Sequence, residues 1–412
     1  MVKPAPAIAR SAALEAPRGT RRTQLPVYSP LSIGALARAT MMAFTPGADP
    51  CAALRALLAR EYGADGVLLT DSGTHALQLA IRAGLASCDA PVAALPAFTC
   101  YDVATAAVGA GAGIVVYDID PATLAPDPDS LEAALKRGAR TVVVSPLYGI
   151  PVDWEAIESL AEAFGALVIE DAAQGHGATW RGRALGSHGR LSVLSFGRGK
   201  GWTGGAGGAL LWRRNEPAPR FTVPASTIPS GIRTLVNAAA QWALGRPALY
   251  HLPASLPWLD LGETLYRTPS PTRTLRGAIA ALALATHAAS LSEAVTRREH
   301  AALLLERLRD DAARIRVPAN GAAGYLRLPV RVRGDRGRAV AANLHHLGVA
   351  ASYPSTLAQL PAVRSRRAAG SDDCLPGADA LVRELITLPT HSLLSDADLQ
   401  GLMSSLATAL HD

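Results

Sequence analysis

The run Ala166-Leu167-Val168-Ile169-Glu170-Asp171-Ala172-Ala173-Gln174 reads as a strand that ends in a carboxylate, followed by two small residues and an amide. An unbroken apolar run of this kind suits a strand covered on both faces, as in a parallel sheet. The surrounding sequence repeats the pattern. Strands are expected at Gly66–Thr70, Val92–Leu95, Ile114–Asp118 and Thr141–Val144, and helices at His75–Leu85, Asp102–Ala110, Asp129–Lys136 and Trp154–Phe164. Strands alternating with helices of about this length argue for βαβ units, an α/β class and a mainly parallel sheet. In such sheets ligands gather at the carboxyl ends of the strands. Asp171 stands at one such end, and the turn Ser72-Gly73-Thr74, which opens a helix, stands at another. The first turn of a helix offers free N–H groups and the positive end of the dipole to a phosphate; Ser and Thr are also ordinary helix caps.

Downstream, Leu191–Phe196 and Ala209–Trp212 are strand-like and flank a glycine-rich stretch. Leu194–Leu210 holds seven of the chain's 37 glycines and one lysine, Lys200. Glycine permits positive φ and close backbone approach, so the lysine is presented to a ligand or, on the plainer reading, to solvent. Gly199–Gly204 fits the pattern G-x-G-x-x-G, but more glycine and a strand follow it instead of a helix, so the dinucleotide reading fails in context. Lys200 is followed by Gly201, which rules out a Walker A loop, and there is no Gly-x-Ser-x-Gly elbow. The ten histidines show no metal-ligand spacing. What remains is the Ser72–Thr74 turn, Asp171 with Gln174, and the run Ser195-Phe196-x-x-x-Lys200, which begins 24 residues past the acid. Pyridoxal phosphate needs such a set: an amine for its aldehyde, a carboxylate for its pyridine nitrogen, and donors for its phosphate.

These residues resemble the DegT/DnrJ/StrS family of sugar aminotransferases. The likeness runs from Tyr62-Gly63 through Asp71–Leu77, Pro96-Ala97-Phe98-Thr99, Tyr117–Pro121 and Leu147-Tyr148-Gly149. It is densest over Glu170–Ala178 and over Ser195–Lys200. Gly348-Val349 and Leu388-Pro389-Thr390-His391 resemble the family's later landmarks. The resemblance implies the fold-type I, aspartate aminotransferase-like architecture: a large domain with a mainly parallel seven-stranded sheet and a smaller C-terminal α/β domain. It implies pyridoxal 5′-phosphate as cofactor, with Lys200 as the lysine that joins the aldehyde and moves a proton. Asp171 pairs with the ring nitrogen and Gln174 lies beside the ring near its hydroxyl. Gly73, Thr74 and Ser195 hold the phosphate. It further implies a homodimer, an amino donor such as glutamate or glutamine, and a keto-sugar acceptor, expected here as a nucleotide-linked keto-deoxysugar used for polysaccharide or glycosylated metabolites. The family's dehydratases lack the lysine, so Lys200 argues against that branch.

The chain departs from the family at several positions. Cys100 stands where the family places an aromatic against the cofactor ring, and either Cys100 or Tyr101 faces the ring here. Pro146 replaces a histidine. The Asn-x-Arg-Met segment that reaches the neighbouring subunit is absent, and Thr268–Arg273 takes its place, with Arg273 and Arg276 as nearby cations.

The 412 residues divide by expectation into a disordered leader (1–23), a large cofactor-binding domain (24–265) and a small domain (266–412). Within the large domain, 213–262 is an apolar insertion or connection. Its helical piece Ile232–Leu244 either packs on the large domain or docks a partner or membrane surface. Further helices are expected at Pro30–Thr40, Ala52–Glu61, Gly337–Leu347, Ala378–Leu385 and Ser395–Leu410. Leu275–Arg309 is one long helix or two meeting at Leu291-Ser292, a strand is expected at Tyr325–Val332, and Ile386–Pro389 is a short strand or turn. The net charge of +6 comes from scattered arginines with no aromatic interleaving, which argues against nucleic acid. Cys51, Cys88, Cys100 and Cys374 form no Cys-x-x-Cys pair, pointing to a reducing, cytoplasmic setting. No run of about 20 apolar residues is expected to cross a membrane, Leu235–Leu244 coming nearest. A rival reading from another class is a catalytically idle relative that serves as a regulatory or assembly partner.

Overall fold

A computed structural model describes residues 23–86, 91–213, 223–224, 231–254, 264–308, 312–368 and 374–411. The expected leader lies outside the described residues apart from Thr23, whose N–H donates to the Pro247 carbonyl at 3.1 Å. Helices α1 (Ile33–Phe44) and α2 (Pro50–Tyr62) come first, capped by the side chains of Ser32 and Asp49. Then the alternation begins: β1 (Gly66–Thr70), α3 (Gly73–Leu85), β2 (Val92–Pro96), α4 (Tyr101–Ala110), β3 (Gly113–Tyr117), α5 (Pro128–Lys136), β4 (Thr141–Val144), α6 (Trp154–Ala163) and β5 (Leu167–Asp171). Ser72, Asp127 and Asp153 cap α3, α5 and α6 by accepting a main-chain N–H, as short polar side chains do at helix starts. Short strands β6 (Thr179–Trp180) and β7 (Arg183–Ala184) precede β8 (Leu191–Ser195) and β9 (Gly208–Trp212).

The main sheet has seven strands in the order β1-β9-β8-β5-β4-β2-β3. From β8 to β3 every pair is parallel, and β9 alone runs against both neighbours. The reason is local. β8 returns as β9 through the glycine-rich loop, with Ser195 facing Gly208, whereas the other neighbours need crossover helices. Val142, Val143, Ile169 and Val193 are all at most 1% exposed, so the sheet is covered on both faces.

After the main sheet come α7 (Gly231–Leu244), α8 (His251–Ala254) and α9 (Gly277–Arg307), then β10 (Ala312–Arg314), β11 (Gly321–Ala322), β12 (Leu328–Val332), α10 (Gly337–Asn343), β13 (Ala350–Ala351), α11 (Pro361–Arg364), α12 (Pro376–Glu384), β14 (Leu385–Leu388) and α13 (Asp396–His411). Strands β10, β12, β14 and β13 make a second, antiparallel sheet. Its apolar face packs on α10 and α13 through Val330, Val340, Ile386 and Leu402. β11 leaves this region to pair with β6, so the later part of the chain is stitched to the earlier one.

Helix α9 does not break at Leu291-Ser292. Both residues are exposed there, so no buried contact asks for a bend, and the helix runs for 31 residues. Its first half packs Ile279, Ala280 and Ala283 into the main core and Leu282 against α1 and α7. Its last turns place Ala301 and Leu304 in the second core. By length and mean hydropathy (1.4 over its most apolar window) it passes the test for a membrane span, which corrects the expectation that Leu235–Leu244 comes nearest. With 61% of that window buried inside the protein, it is a core helix. The segment 357–385, expected within the small domain, contributes Leu357, Val363 and Leu381 to the main core. The cores therefore interleave along the chain.

Leu282 is fully buried where α1, α7 and α9 meet. Leu282→Ala should cost about 2–5 kcal/mol, read as a lower urea midpoint with an unchanged slope.

Candidate active site

Four parallel strands end at one side of the sheet, and the residues just past or at their ends line a small cleft. Thr99 and Cys100 follow β2, Ser145 follows β4, Asp171 closes β5, and Ser195 closes β8. Gly73 and Thr74, the first turn of α3, lie opposite. Gln174 and Lys200 complete the wall. The structure thus brings together Gly73, Thr74, Cys100, Asp171, Gln174, Ser195 and Lys200 from distant parts of the sequence.

Alternation along β5 decides which acid faces the cleft. Glu170 points to the far side, fully buried, and accepts the N–H groups of Gly186 at 2.6 Å and His188 at 2.8 Å. Asp171 points into the cleft. Its Oδ2 accepts the Ser145 hydroxyl at 3.1 Å and its Oδ1 accepts the Ala173 N–H at 3.2 Å. Burial raises its pKa, while the Lys200 charge and these two donors pull it back.

Helix α3 begins in contact with the end of β8. A Cβ on Gly73 would fall 2.7 Å from Ser195 Cβ and 2.8 Å from its Oγ. Only glycine allows this approach. It sets a helix N-terminus, whose first N–H groups have no partner within the helix, beside a hydroxyl on a small concave floor. That donor set fits a phosphate.

Lys200 sits on the loop between β8 and β9, and the loop is pinned rather than loose. The Phe196 N–H donates to Gly207 O and the Gly204 N–H to Phe196 O, both at 2.8 Å. Gly199, at φ +75°, donates its N–H to Ser29 Oγ at 2.9 Å. Phe196 and Trp202 are buried, and the Trp202 indole N–H donates to Ala283 O of α9 at 2.7 Å. Lys200 itself makes no hydrogen bond or ion pair with the described residues. An amine held on a fixed loop without a partner, a carboxylate with spare lone pairs, and a phosphate-sized cradle together fit pyridoxal phosphate.

Gln174 lines the cleft and is tied on both sides. Its Oε1 accepts the Tyr148 N–H at 2.9 Å and its Nε2 donates to Tyr353 Oη at 3.0 Å, so its amide is engaged in ties across the cleft. Tyr148 is held at φ +57°, a conformation that costs a non-glycine residue about 1–3 kcal/mol and persists where surroundings enforce it. Its hydroxyl pairs with Ser352. Cys100 and Tyr101 are placed differently with respect to the cleft. Cys100 lines the cleft, its thiol pushed up to about 11 by burial. Tyr101 does not line it, because the first turn of α4 carries its ring away, buried, with the hydroxyl 2.6 Å from Ser355 Oγ. Tyr101, the alternative expected to face the cofactor, thus stands outside the lining of the cleft.

The segment that replaces Asn-x-Arg-Met docks on the start of α3. Ser270 Oγ lies 2.9 Å from His75 Nε2, His75 Nδ1 pairs with Asp71, and the Asp71 N–H donates to Arg273 O at 3.0 Å. The Arg273 side chain is exposed. His176, inside the densest sequence block, is structural: burial and the neighbouring Arg297 push it down to about 3, and its ring packs 5.7 Å from Trp202.

A second, larger cleft opens above the first and shares Cys100, Gln174 and Lys200 with it. One wall is the insertion: α7 buries Leu235 and Ala238 against α1 and α9 and turns Asn237, Gln241 and Trp242 to the cleft, joined by Tyr250. The facing wall carries Arg327, Ser352 and Tyr353. Sequence reading missed Thr99, Ser145, Tyr148, Arg327 and Tyr353. Ser145 carried a signal in its position just past the strand Thr141–Val144, and Thr99 and Tyr148 lay within the motifs of the family likeness without being singled out.

The model of the DegT/DnrJ/EryC1/StrS aminotransferase family matches residues 44–224 and 275–407. Over 151 residues the chain is 39% identical to the L-glutamine:2-deoxy-scyllo-inosose aminotransferase of Streptoalloteichus tenebrarius, covering 36% of this chain and 35% of that protein. Over 172 residues it is 34% identical to the 3-amino-5-hydroxybenzoate synthase of Amycolatopsis mediterranei, covering 41% and 44%. The matched stretches thus span less than half the length of these relatives. The fold of the sugar aminotransferase CalS13 from Micromonospora echinospora superposes with a TM-score of 0.71 at 22% identity, over 94% of this chain and 98% of that one.

Two outcomes follow from this geometry. Gly73→Ala should weaken binding of pyridoxal phosphate about tenfold or more in equilibrium dialysis, since overpacking of about 1–3 kcal/mol converts at about 1.4 kcal/mol per factor of ten. Iodoacetamide at pH 8 should label exposed Cys374 and spare Cys100, as peptide mass spectrometry would read.

Proposed function

The chain belongs to the DegT/DnrJ/EryC1/StrS aminotransferase family, whose cofactor is pyridoxal 5′-phosphate, and from that premise we propose that it moves an amino group from glutamine or glutamate to the keto carbon of a polyhydroxylated ring. The observation that carries this reading is Lys200, an amine on a pinned loop with no hydrogen-bond partner among the described residues, facing the same cleft as the Asp171 carboxylate and the Gly73–Ser195 cradle.

Within this cleft Asp171 would hold a proton on the ring nitrogen of the cofactor, and its ties to Ser145 and Ala173 fix the carboxylate for that task. Thr74, Ser195 and the first turn of α3 would hold the phosphate. Cys100 supplies a small wall toward the ring in place of a stacked aromatic. The bound cofactor supplies an electron sink for charge developing on the substrate. Lys200 would hold the cofactor's aldehyde through Nζ, and as a free amine that same Nζ would take the proton from the donor's α-carbon.

The acceptor is assigned to the keto-sugar class. A nucleotide-linked keto-deoxysugar is the acceptor implied by the sequence resemblance, and a free ring ketone is the kind named in the activity of the Streptoalloteichus relative. Asn237, Gln241, Trp242 and Tyr250 on the insertion suit either, because amides meet hydroxyls and aromatic faces stack on sugar rings. A homodimer in a reducing compartment completes the reading; Cys51, Cys100 and Cys374 form no disulfide among the described residues, and Cys88 lies outside them.

The test is spectroscopic. Purified protein should bind pyridoxal phosphate with a visible absorbance band that Lys200→Ala abolishes and Asp171→Ala shifts. Protein loaded with pyridoxamine phosphate should regain the band with a member of a panel of free and nucleotide-linked keto-sugars. A protein that binds the cofactor but answers to no amino donor and no acceptor would instead favour the idle assembly-partner reading.

A further inference from the structure

Helices α1 and α7 pack side by side over the first half of α9, each by one face. Ala35 and Ala39 of α1 and Leu235 and Ala238 of α7 are buried there against Ala281, Leu282 and Ala285. The opposite faces are covered by none of the described residues, yet they are apolar too. On α1, Ile33, Ala37, Met41 and Phe44 follow one another at helical spacing along the solvent side, and on α7 Ile232 and Val236 do the same. The five large side chains among them are each at least 55% exposed, and Leu249 and Leu252, just past α7, are exposed as well. Among the described residues, strongly exposed large apolar side chains occur only on α1, on α9 and between 232 and 265. Singly scattered ones need no account, but a continuous patch marks a surface that meets something.

The charge on these segments is one-sided. No aspartate or glutamate stands between Glu15 and Asp49 or between Glu216 and Asp260, where seven arginines stand. Arg38 and Arg233 are exposed on α1 and α7. The chain also enters here. The Thr23 N–H donates to Pro247 O, between α7 and α8, and the residues before Thr23 hold Lys3, Arg10, Arg18, Arg21 and Arg22 against one acid, Glu15. A second copy docked face to face would bring these cations together. An apolar helix face fringed by cations instead suits the interface of an anionic lipid layer.

We propose that the outer faces of α1 and α7 seat the protein peripherally on an anionic membrane surface. The apolar side chains enter the headgroup boundary and the arginines meet lipid phosphates. Asn237 and Gln241, which face the larger cleft, stand about 100° round α7 from Ile232 and Val236. Docking therefore leaves the cleft open, and it does not depend on the reaction assigned to that cleft.

The experiment uses the full-length protein and two variants: Met41→Glu combined with Val236→Glu, and Arg233→Glu alone. Each is first shown to keep the parent melting temperature. Vesicles of phosphatidylcholine alone, or of phosphatidylcholine mixed with phosphatidylglycerol, are floated with protein at about 0.1 M salt, and sedimentation velocity is measured without lipid. The parent should float with the mixed vesicles and stay behind with phosphatidylcholine alone. Both variants should bind the mixed vesicles about tenfold or more weakly, with sedimentation unchanged. A parent that floats with neither vesicle, or variants that float as well as the parent, overturns the proposal. Loss of a sedimenting oligomer in the double variant, with no lipid binding by the parent, overturns it in favour of a second copy of this chain on the same face.

Discussion

Gly73 lies against the paired ends of β8 and β9, with a Cβ at Gly208 falling only 2.6 Å from Gly73 Cα. No side chain fits between the helix start and the hairpin, and the rest of the site depends on this closeness. It brings the positive end of α3 to the end of the strand whose loop carries Lys200. It also fixes the distance across the sheet to Asp171, because β8 and β5 are neighbours in register from Ile169 to Asp171. The cleft is thus a consequence of main-chain contact first and of side-chain chemistry second.

Above that floor the protein uses polar ties. Gln174 reaches Tyr148 on one side and Tyr353 on the other, joining strand-end segments of the main sheet to the loop after β13. The strained Tyr148 backbone is tolerated because its N–H, hydroxyl and ring face are all engaged. The insertion closes the opposite side with α7, using one helical face for packing and the other for the cleft. The apolar character of that segment is therefore divided: Leu235 and Ala238 pack inward, while Ile232 and Val236 stay exposed.

Much of this was legible beforehand because the signals were local. Apolar runs gave the parallel strands, helix starts carried Ser or Asp caps, and Asp171 and Lys200 stood out by strand end and glycine context. Residues whose role depends on partners far along the chain were silent. Arg327 reads as one arginine among many until Thr387 and Tyr148 hold it in place, and Tyr353 means nothing until Gln174 reaches it. Cys100 and Tyr101 were inseparable because adjacent residues at a helix start point apart in directions set by the helix phase. The possible joint at Leu291-Ser292 does not form because both residues lie on a solvent face, where no buried contact asks for a bend.

The unbroken α9 has a thermodynamic meaning. A helix of 31 residues spans roughly 45 Å at 1.5 Å per residue, and here its two ends belong to different apolar cores. Neither core can lose its share of the helix without exposing the other's, so melting of the two is coupled. Independent unfolding units along a chain require boundaries that few contacts cross, and α9 abolishes the most obvious one. The smaller core is therefore a poor candidate for excision as a free-standing fragment.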